Sequence, residues 1–385
     1  MHEIIDLFGR RQTTFSIDED RHSSAKIVVI GIGSAGGNLI RQMVEAGVEG
    51  MELIAADSDI QALRNSLAPI KLEIGTKLTR GLGCNGNPRI GRQAAMEETE
   101  RIHDLIDGSD MVFIAGGEGG GTFTGAAPVF ASLASAIGAL TIATAIMPFS
   151  FQGAKVRAYA EAGLRELEES LDAIIVAPNE ILLRTLDADI SLDNSLHLAD
   201  AVLCEAMQGI SEIIAKPGII KLNLADVCTV IKHRGMIFWG RGIAEGSGRA
   251  VEAAQQAITN LLGEELQINE AKTALINIVG SRRSLKLHEA ENAARVIKEK
   301  AGLEDVRIGA MHDESLGERL KVTLIASGFS PDALNRLSDS GKSLRNEAAA
   351  VKAASQFSAA YIAYRESNWE KLDQPPFQRH RAALH

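Results

Sequence analysis

Short apolar runs rich in β-branched residues alternate with helical segments over the first half of the chain. Five of these runs read AKIVVIGIG, MELIAADSD, DMVFIAGG, LTIATAIMPF and DAIIVAPNE, and they begin at residues 25, 51, 110, 140 and 172. Runs that are apolar throughout, and not only at every second position, are typical of strands buried on both faces. Because helical segments separate the runs, the pattern predicts an α/β domain with a doubly wound, mostly parallel sheet.

The second half of the chain begins with a long helix, predicted over residues 195–216. Apolar residues recur there at spacings of three and four, which gives the helix one apolar face. These residues are Leu196, Ala199, Leu203, Ala206, Ile210 and Ile213. After residue 236 the pattern changes to helical segments mixed with the strand-like runs ALINIVG, VRIGAM and LKVTLIASGF. This change predicts a second, smaller α+β domain.

Composition excludes several classes of protein. The chain has 385 residues, a net charge of -10 and three widely spaced cysteines, Cys84, Cys204 and Cys228. An acidic chain of this length predicts about two to three domains and no binding to nucleic acid. The cysteines fit neither a disulfide framework nor a zinc site, so we expect a reducing cytoplasm and no metal site formed by the protein alone. No apolar run is long enough to cross a membrane.

Two glycine-rich loops each follow a predicted strand and precede a predicted helix. The first is GIGSAGG at residues 31–37, followed by Asn38, and the second is GGGTFTG at residues 119–125. Glycine lets the backbone turn sharply and approach a ligand, and the helix N-terminus behind it favours an anion. One such loop is weak evidence, because tight turns also use glycine for steric reasons. Two together predict a cradle around a polyphosphate.

Other nucleotide-binding motifs fit less well. A dinucleotide site of the NAD type needs an acid after the second strand, and Asp57 or Asp59 meets that need. It does not need a second glycine loop on a later strand. A P-loop requires a lysine after its last glycine, and neither glycine loop has one.

Eight short motifs occur in an order that resembles one known family. They are GIGSAGGN (31–38), ADSDIQAL (56–63), GLG with NP (81–83 and 87–88), GGGTFTGAAP (119–128), PFSFQG (148–153), APNE (177–180), QGI (208–210) and ADV (225–227). This series looks like FtsZ, the bacterial tubulin-like cell-division family. The resemblance covers residues 25 to 328 and extends to the last dozen residues.

The resemblance implies a GTP-binding cytoskeletal protein whose subunits stack head to tail into filaments. It implies GTP or GDP as ligand, with Mg²⁺ only together with the nucleotide, and a cytoplasmic location at the division site. The implied nucleotide-binding positions are Gly33, Ser34, Ala35, Gly36, Gly37, Asn38, Gly119, Gly120, Gly121, Thr122, Phe123, Thr124, Gly125, Gln152, Val156, Asn179 and Ala201. Hydrolysis would be completed at the interface between subunits by a loop containing Lys221, Asn223 and Asp226.

The resemblance also divides the chain into segments. It implies an N-terminal arm, a GTP-binding-type α/β domain, a central helix, a C-terminal α+β domain with a catalytic-type loop at 219–227, a linker and a docking peptide. In that order the segments cover residues 1–25, 26–194, 195–216, 217–330, 331–370 and 371–385.

Side-chain chemistry departs from the family pattern around the predicted pocket, whereas the glycine positions match it. The departures are Glu118 for an apolar residue, Phe123 for glycine, Gln152 for glutamate, Val156 for arginine, Leu196 for an aromatic, Ala201 for aspartate, Lys221 for asparagine and Asn223 for aspartate. Asp200 does not replace the carboxylate missing at Ala201, because one residue along a helix points about 100° away. An amide at position 223 cannot act as a base. The pattern predicts weak or absent GTP binding and hydrolysis.

The chain ends in a segment, DQPPFQRHR, that resembles the docking peptide of the family. Asp373, Pro375, Phe377 and Arg379 match its pattern, and glutamines replace two apolar positions. A proline-fixed segment with one aromatic anchor suits capture in a groove. Membrane-adaptor proteins are the implied partners, without direct insertion of the chain into a membrane.

Three hypotheses follow from the sequence. The first is a filament-forming subunit that binds GTP and hydrolyses it slowly. The second is a pseudo-GTPase that assembles without nucleotide, as a scaffold or as a modulator of another FtsZ. The third, disfavoured by the second glycine loop, is an NAD-dependent oxidoreductase.

Overall fold

The computed structural model describes residues 4–5, 11–12, 25–178, 192–216, 218–231, 235–262, 268–303 and 305–329. Several predicted features lie outside these residues: Asn179, most of the N-terminal arm, the linker at 331–370 and the docking peptide at 371–385. Within the arm, β1 (Ile4–Ile5) and β2 (Arg11–Gln12) pair as antiparallel strands.

Parallel strands form the sheet of the first half of the chain. They are β3 (Ile27–Ile32), β4 (Glu52–Asp57), β5 (Ile70–Glu73), β6 (Met111–Gly117), β7 (Leu140–Met147) and β8 (Ala173–Pro178). Their order across the sheet is β5-β4-β3-β6-β7-β8, which places the first strand of the domain in the middle. This arrangement confirms the predicted doubly wound α/β fold.

Helices cover both faces of this sheet. They are α1 (Gly33–Glu45), α2 (Ile60–Asn65), α3 (Thr76–Thr79), α4 (Pro88–Glu97), α5 (Thr99–Ile106), α6 (Thr122–Ala136) and α7 (Ala154–Glu168). Val28, Ile30 and Ile32 of β3 belong to one buried cluster, whereas Ile27 and Val29 belong to another. Alternate residues of the strand are thus buried on opposite faces, as its continuously apolar sequence predicts.

The remaining elements start with α8 (Leu192–Ala215), which is the predicted central helix and begins three residues earlier than its predicted start at 195. The elements after it are α9 (Leu224–Ile231), β9 (Gly235–Glu245), α10 (Arg249–Leu262), β10 (Thr273–Gly280), α11 (Leu287–Ala301), β11 (Val306–His312) and β12 (Arg319–Ser327). Strand β9 extends the first sheet beyond β8, and the order continues β9-β12-β10-β11. The smaller domain is therefore a mixed sheet with helices, as predicted. No helix among the described residues is long and apolar enough to cross a membrane.

Candidate functional site

The two glycine loops lie side by side at one edge of the sheet. Strands β3 and β6 pair in parallel with Ile32 opposite Gly116, so the loops that follow them leave the sheet together. A Cβ placed on Gly33 would be 3.4 Å from the Cβ of Thr122. Gly33 has a φ of 71°, a value that glycine adopts readily and other residues rarely do. The structure thus joins the two predicted loops into one surface, with the N-termini of α1 and α6 behind it.

Gly119 and Gly120 differ in their surroundings. Gly119 has a φ of 88°, and a Cβ there would be 2.6 Å from Cγ1 of Val156, so this glycine is required by both backbone angle and packing. Gly120 is exposed, and a Cβ there would meet no atom within 4 Å. The loop is therefore open to a ligand at Gly120 and closed by Val156 at Gly119.

Glu118 turns away from this opening and into the protein interior. It is 5% exposed, and its Oε2 accepts a hydrogen bond of 2.7 Å from the hydroxyl of Thr124. The N–H of Gly119 in turn donates to that hydroxyl at 2.8 Å. Burial raises the pKa of Glu118 to about 7, although the bond from Thr124 opposes the shift. Glu118 thus accepts a hydrogen bond from the hydroxyl of Thr124, which was predicted to face phosphate. A pKa of about 7 leaves its carboxyl partly protonated near neutral pH.

A glycine on α7 makes room for this carboxyl. A Cβ on Gly163 would be 2.6 Å from Oε2 of Glu118. The other oxygen, Oε1, has no hydrogen-bond partner among the described residues. Such a carboxyl is costly when charged and much less so when protonated, which is the physical reason for its raised pKa.

Phe123 also points into the protein. Its ring is 2% exposed and packs over Gly116, where a Cβ would be 2.2 Å from Cδ2 of the ring. Phe123 lies in the first turn of α6 with a negative φ, so this position does not demand glycine. The ring is therefore part of the hydrophobic core and does not fill the opening of the loop.

The hydroxyl of Thr122 is in contact with a residue that directly follows β4. Its hydroxyl lies 3.0 Å from that of Ser58, which is itself 3.1 Å from Sγ of Cys84. The preceding residue, Asp57, accepts bonds from the N–H groups of Ser58 and Asp59 through Oδ1. Burial raises the pKa of Asp57. Sequence reasoning missed Ser58, although its place directly after β4 puts it at the same edge of the sheet as the glycine loops.

A cavity of about 180 Å³ opens beside the first glycine loop. Gly33, Ser34, Gly37 and Asn38 line this cavity, together with Arg41 and Asp57 among others. The residues of the first loop therefore border open space lined by one basic residue, Arg41, which favours an anionic ligand, and by one acidic residue, Asp57, which opposes it. Sequence analysis did not identify Arg41, which lies one helical turn beyond Gly37.

The positions predicted to contact the nucleoside are less complete. Gln152 is exposed, and its Oε1 accepts a bond of 2.9 Å from the N–H of Phe149. On α8, Asp200 is 5% exposed whereas Ala201 is half-buried, so the two residues face different surroundings, as their helical spacing predicts. Burial raises the pKa of Asp200 to about 7. The side chain of Leu196 is outside the described set.

The loop of Lys221, Asn223 and Asp226 forms a separate site. Asn223 and Asp226 cap α9 reciprocally: the N–H of each donates to the side chain of the other, at 3.0 and 2.9 Å. Lys221 is exposed and forms no ion pair with any described acid. No hydrogen bond among described residues joins this loop to either glycine loop. It follows α8, whose 24 residues extend over about 36 Å. No described cluster of acids, histidines and cysteines could hold a metal ion by itself.

Comparisons with known proteins agree with this architecture. The family model described as "Tubulin/FtsZ family, GTPase domain" matches residues 26–187, and "FtsZ family, C-terminal domain" matches residues 235–330. The cell division protein FtsZ of Pseudomonas aeruginosa is 39% identical over 369 residues, which cover 96% of this chain and 92% of that protein. FtsZ of Azotobacter vinelandii is 42% identical over 316 residues, covering 82% and 80%.

Solved structures give the same result. An empty FtsZ dimer from M. jannaschii superposes with a TM-score of 0.72 at 38% identity, covering 80% of this chain and 89% of that one. A GTPγS-bound protofilament of CetZ2 from Haloferax volcanii has a TM-score of 0.70 at 20% identity, covering 86% and 99%. The second likeness, at that identity, concerns the fold alone.

Proposed function

Since this chain belongs to the FtsZ family of tubulin-like proteins, we propose that it assembles head to tail with copies of itself through a nucleotide site that holds GTP weakly. It is an FtsZ-like cell-division cytoskeletal protein with a tubulin-type GTPase domain. The residues of this chain determine which groups bind the nucleotide, how tightly they bind it, and whether hydrolysis follows.

The meeting of the two glycine loops at Gly33 and Thr122 carries the proposal. Backbone N–H groups and two helix N-termini surround the opening at Gly120, and such groups bind phosphate without any charged side chain. Arg41 in the adjoining cavity adds one cation. These features support a polyphosphate site formed mainly by backbone groups, and Mg²⁺ would enter only together with the nucleotide.

Weak binding of GTP follows because two hydrogen-bond donors of the second glycine loop already bind protein groups. The hydroxyl of Thr124 and the N–H of Gly119 form a chain that ends on Glu118. A phosphate would have to compete with an internal carboxyl for these donors. Val156 supplies no charge where it lies against Gly119. Each charge-assisted bond lost to phosphate weakens binding by roughly 1.5–3 kcal/mol.

Low selectivity for guanine follows from the central helix. Ala201 has no group that accepts hydrogen bonds, and the neighbouring Asp200 is buried and has a raised pKa. A site that lacks the acceptor for a base loses most of its discrimination between bases. We therefore expect ATP to compete with GTP more effectively than at a site with an exposed carboxylate.

The remaining parts of the proposal concern catalysis and partners. Asn223 leaves Asp226 as the single carboxylate of the 221–226 loop, so hydrolysis is weak or absent. The family's location, cytoplasmic and at the division site, is proposed for this chain as well. The C-terminal peptide with Phe377 and Arg379 is proposed to dock on membrane-adaptor proteins, and a second FtsZ in the same cell is a further partner.

The test combines nucleotide content, calorimetry and sedimentation. We expect measurable but weak GTP binding, together with pelleting that increases when GTP is added. Gly120→Val should abolish both without loss of thermal stability, because a Cβ at position 120 would meet no protein atom within 4 Å. Ala136→Val, at the exposed C-terminal end of α6, the helix that follows the loop, is the matched control and should behave like the parent chain.

Pelleting that is equal with and without nucleotide, in both the parent chain and Gly120→Val, would contradict the proposal. Tight binding of GTP with strong preference over ATP would contradict the part that concerns weak grip and low selectivity.

A further inference from the structure

The 219–226 loop is fixed to strand β11 by backbone bonds. The N–H groups of Ile219 and Ile220 donate to the carbonyl of Ala310 at 2.7 and 3.2 Å, and the N–H of Ala310 returns a bond of 3.1 Å to Ile220. Leu222 is buried in the space left by Gly309, where a Cβ would be 2.4 Å from its Cδ1. The loop and the strand therefore form one unit, and side chains of β11 have defined positions relative to the loop.

Arg307 uses this registration to reach Asp226. It lies two residues before Gly309, and side chains two apart in a strand project from the same face. Its guanidinium is 3.8 Å from Oδ1 of Asp226 and 3.6 Å from Oδ1 of Asp305. The guanidinium is thus shared between the acid that directly precedes its strand and the carboxylate of the loop.

Both oxygens of Asp226 have neighbours within their own subunit. Oδ1 lies 3.8 Å from the guanidinium of Arg307, and Oδ2 accepts the N–H of Asn223. A carboxylate orients a water molecule by accepting its hydrogen bond, and the nearby positive charge opposes this by attracting Oδ1 towards Arg307. The cap bond belongs to the start of α9, whereas the contact with Arg307 involves two partly exposed side chains and is the easier to remove.

We propose that Arg307 is a positioning residue that holds Asp226 away from the nucleotide of the neighbouring copy and thereby slows hydrolysis. The inference rests on the proposed function, since it needs a subunit that binds GTP and stacks on the next one. Slow hydrolysis would then have two causes: the ion pair between Arg307 and Asp226, which a mutation can remove, and the amide of Asn223 in place of a carboxylate. The substrate remains a nucleoside triphosphate, and the neighbouring copy is the partner.

The decisive variant is Arg307→Gln, which keeps a polar side chain and removes the charge. We expect its kcat for GTP to rise about three- to tenfold, with a KM that changes less than about twofold, because the glycine loops are untouched. Arg307→Lys should stay near the parent value. Arg295→Gln is the matched control: it removes an arginine that is also paired at the surface, with Glu299, on a different element, α11.

A double variant separates positioning from general structure. If Arg307 acts through Asp226, Arg307→Gln combined with Asp226→Asn should lose the whole gain in kcat. Pelleting with a slowly hydrolysed GTP analogue should be equal in the parent chain, Arg307→Gln and Arg295→Gln, which shows that folding and assembly are intact.

Each outcome has a distinct meaning. Unchanged or lower turnover by Arg307→Gln in protein that binds GTP and assembles would overturn this inference and leave the proposed function standing. The same holds if the gain persists without the Asp226 carboxylate. If the parent chain neither binds GTP nor pellets with it, the proposed function fails, and the inference fails with it.

Discussion

The Glu118 carboxyl combines deep burial with a single hydrogen-bond donor, the hydroxyl of Thr124. Its identity as an acid in a glycine loop is plain from the sequence, and there it predicts a negative charge beside the phosphates. The direction of the side chain depends instead on Gly163, a residue 45 positions later that leaves room for the carboxyl. Sequence patterns within one loop do not contain such information, because the contact arises from packing of the loop against α7, a helix that is distant in sequence.

The stability of the protein should depend on pH through Glu118. The unfolded chain loses this proton near pH 4.5 and the folded protein only near pH 7. The folded state therefore binds more protons in that window, and the free energy of unfolding falls as pH rises through it. Glu118→Gln keeps an acceptor for Thr124 and removes the charge. The free energy of unfolding of the variant minus that of the parent should therefore be larger at pH 8 than at pH 4, by on the order of 2–3 kcal/mol.

The measurement is urea unfolding of the parent chain and Glu118→Gln at pH 4, 6 and 8. Asp200, whose pKa is also raised to about 7, contributes to both proteins and cancels in their difference. Glu97→Gln, an exposed change on α4, should give a pH profile parallel to that of the parent. A parallel profile for Glu118→Gln would show that the buried carboxyl does not carry the effect.

At the scale of elements, the five strands of the first domain that the apolar runs predict are all found, because continuous apolar character is a direct result of burial on both faces. Strand β9 was not predicted. Its sequence, GMIFWGRGIAE, contains three glycines and an arginine, which hide the apolar pattern. One of them, Gly242, admits the backbone of α10, since a Cβ there would be 1.9 Å from the carbonyl oxygen of Ala253. Close packing of the helix on the strand thus requires glycine at a position where an apolar residue would have indicated a strand.

The smaller domain is held together by a buried arginine at the start of α10. Both Arg249 Nε and NH2 donate to the Glu289 carboxylate, at 2.7 and 2.9 Å, and the guanidinium also donates to the carbonyls of Ser284 and Glu318. The hydrogen bonds from Arg249 are the main reason that the pKa of Glu289 is lowered. One side chain therefore links α10, α11 and the turns that precede α11 and β12.

Loss of this arginine should destabilise the smaller domain strongly. Arg249→Ala removes the guanidinium donors of two carbonyls and leaves Glu289 with the N–H of Lys286, and breaking one side of a buried pair costs about 3–5 kcal/mol. Arg295→Ala, which removes an exposed pair with Glu299 on α11, should cost less than about 1 kcal/mol. Urea unfolding followed by the fluorescence of the buried Trp239 compares the two. Equal midpoints would show that the Arg249 network contributes little.

At the scale of the whole molecule, the glycine loops and the 219–226 loop are different parts of one subunit with no described contact between them. The sequence resemblance predicts that nucleotide binding and catalysis use these two separate parts, and the parallel sheet explains why the glycine loops meet. The resemblance does not predict the role of Arg307, because the contact between β11 and the loop depends on strand registration across the smaller domain. Nor do the described residues reach the C-terminal peptide with Asp373 and Pro375.

Turnover of GTP should therefore depend on assembly. We expect the rate per subunit to rise with protein concentration and to level off once most subunits are in filaments, since under the proposed function each site needs the loop of a second copy. Steady-state phosphate release over a wide range of concentration measures this. Gly120→Val should show no release at any concentration, and a constant rate per subunit down to high dilution would indicate a site complete within one chain.

The packing of Phe123 over Gly116 also limits how the loop can evolve. A change of Phe123 to glycine would remove a buried ring before any other residue fills its place, and losses of this kind cost about 3–5 kcal/mol. Gly116 cannot supply the missing volume, because a Cβ there would also be 2.6 Å from the carbonyl oxygen of Ile32. Glycine at position 123 therefore gives a less stable protein unless several residues change together, whether or not nucleotide binding would gain from loss of the ring.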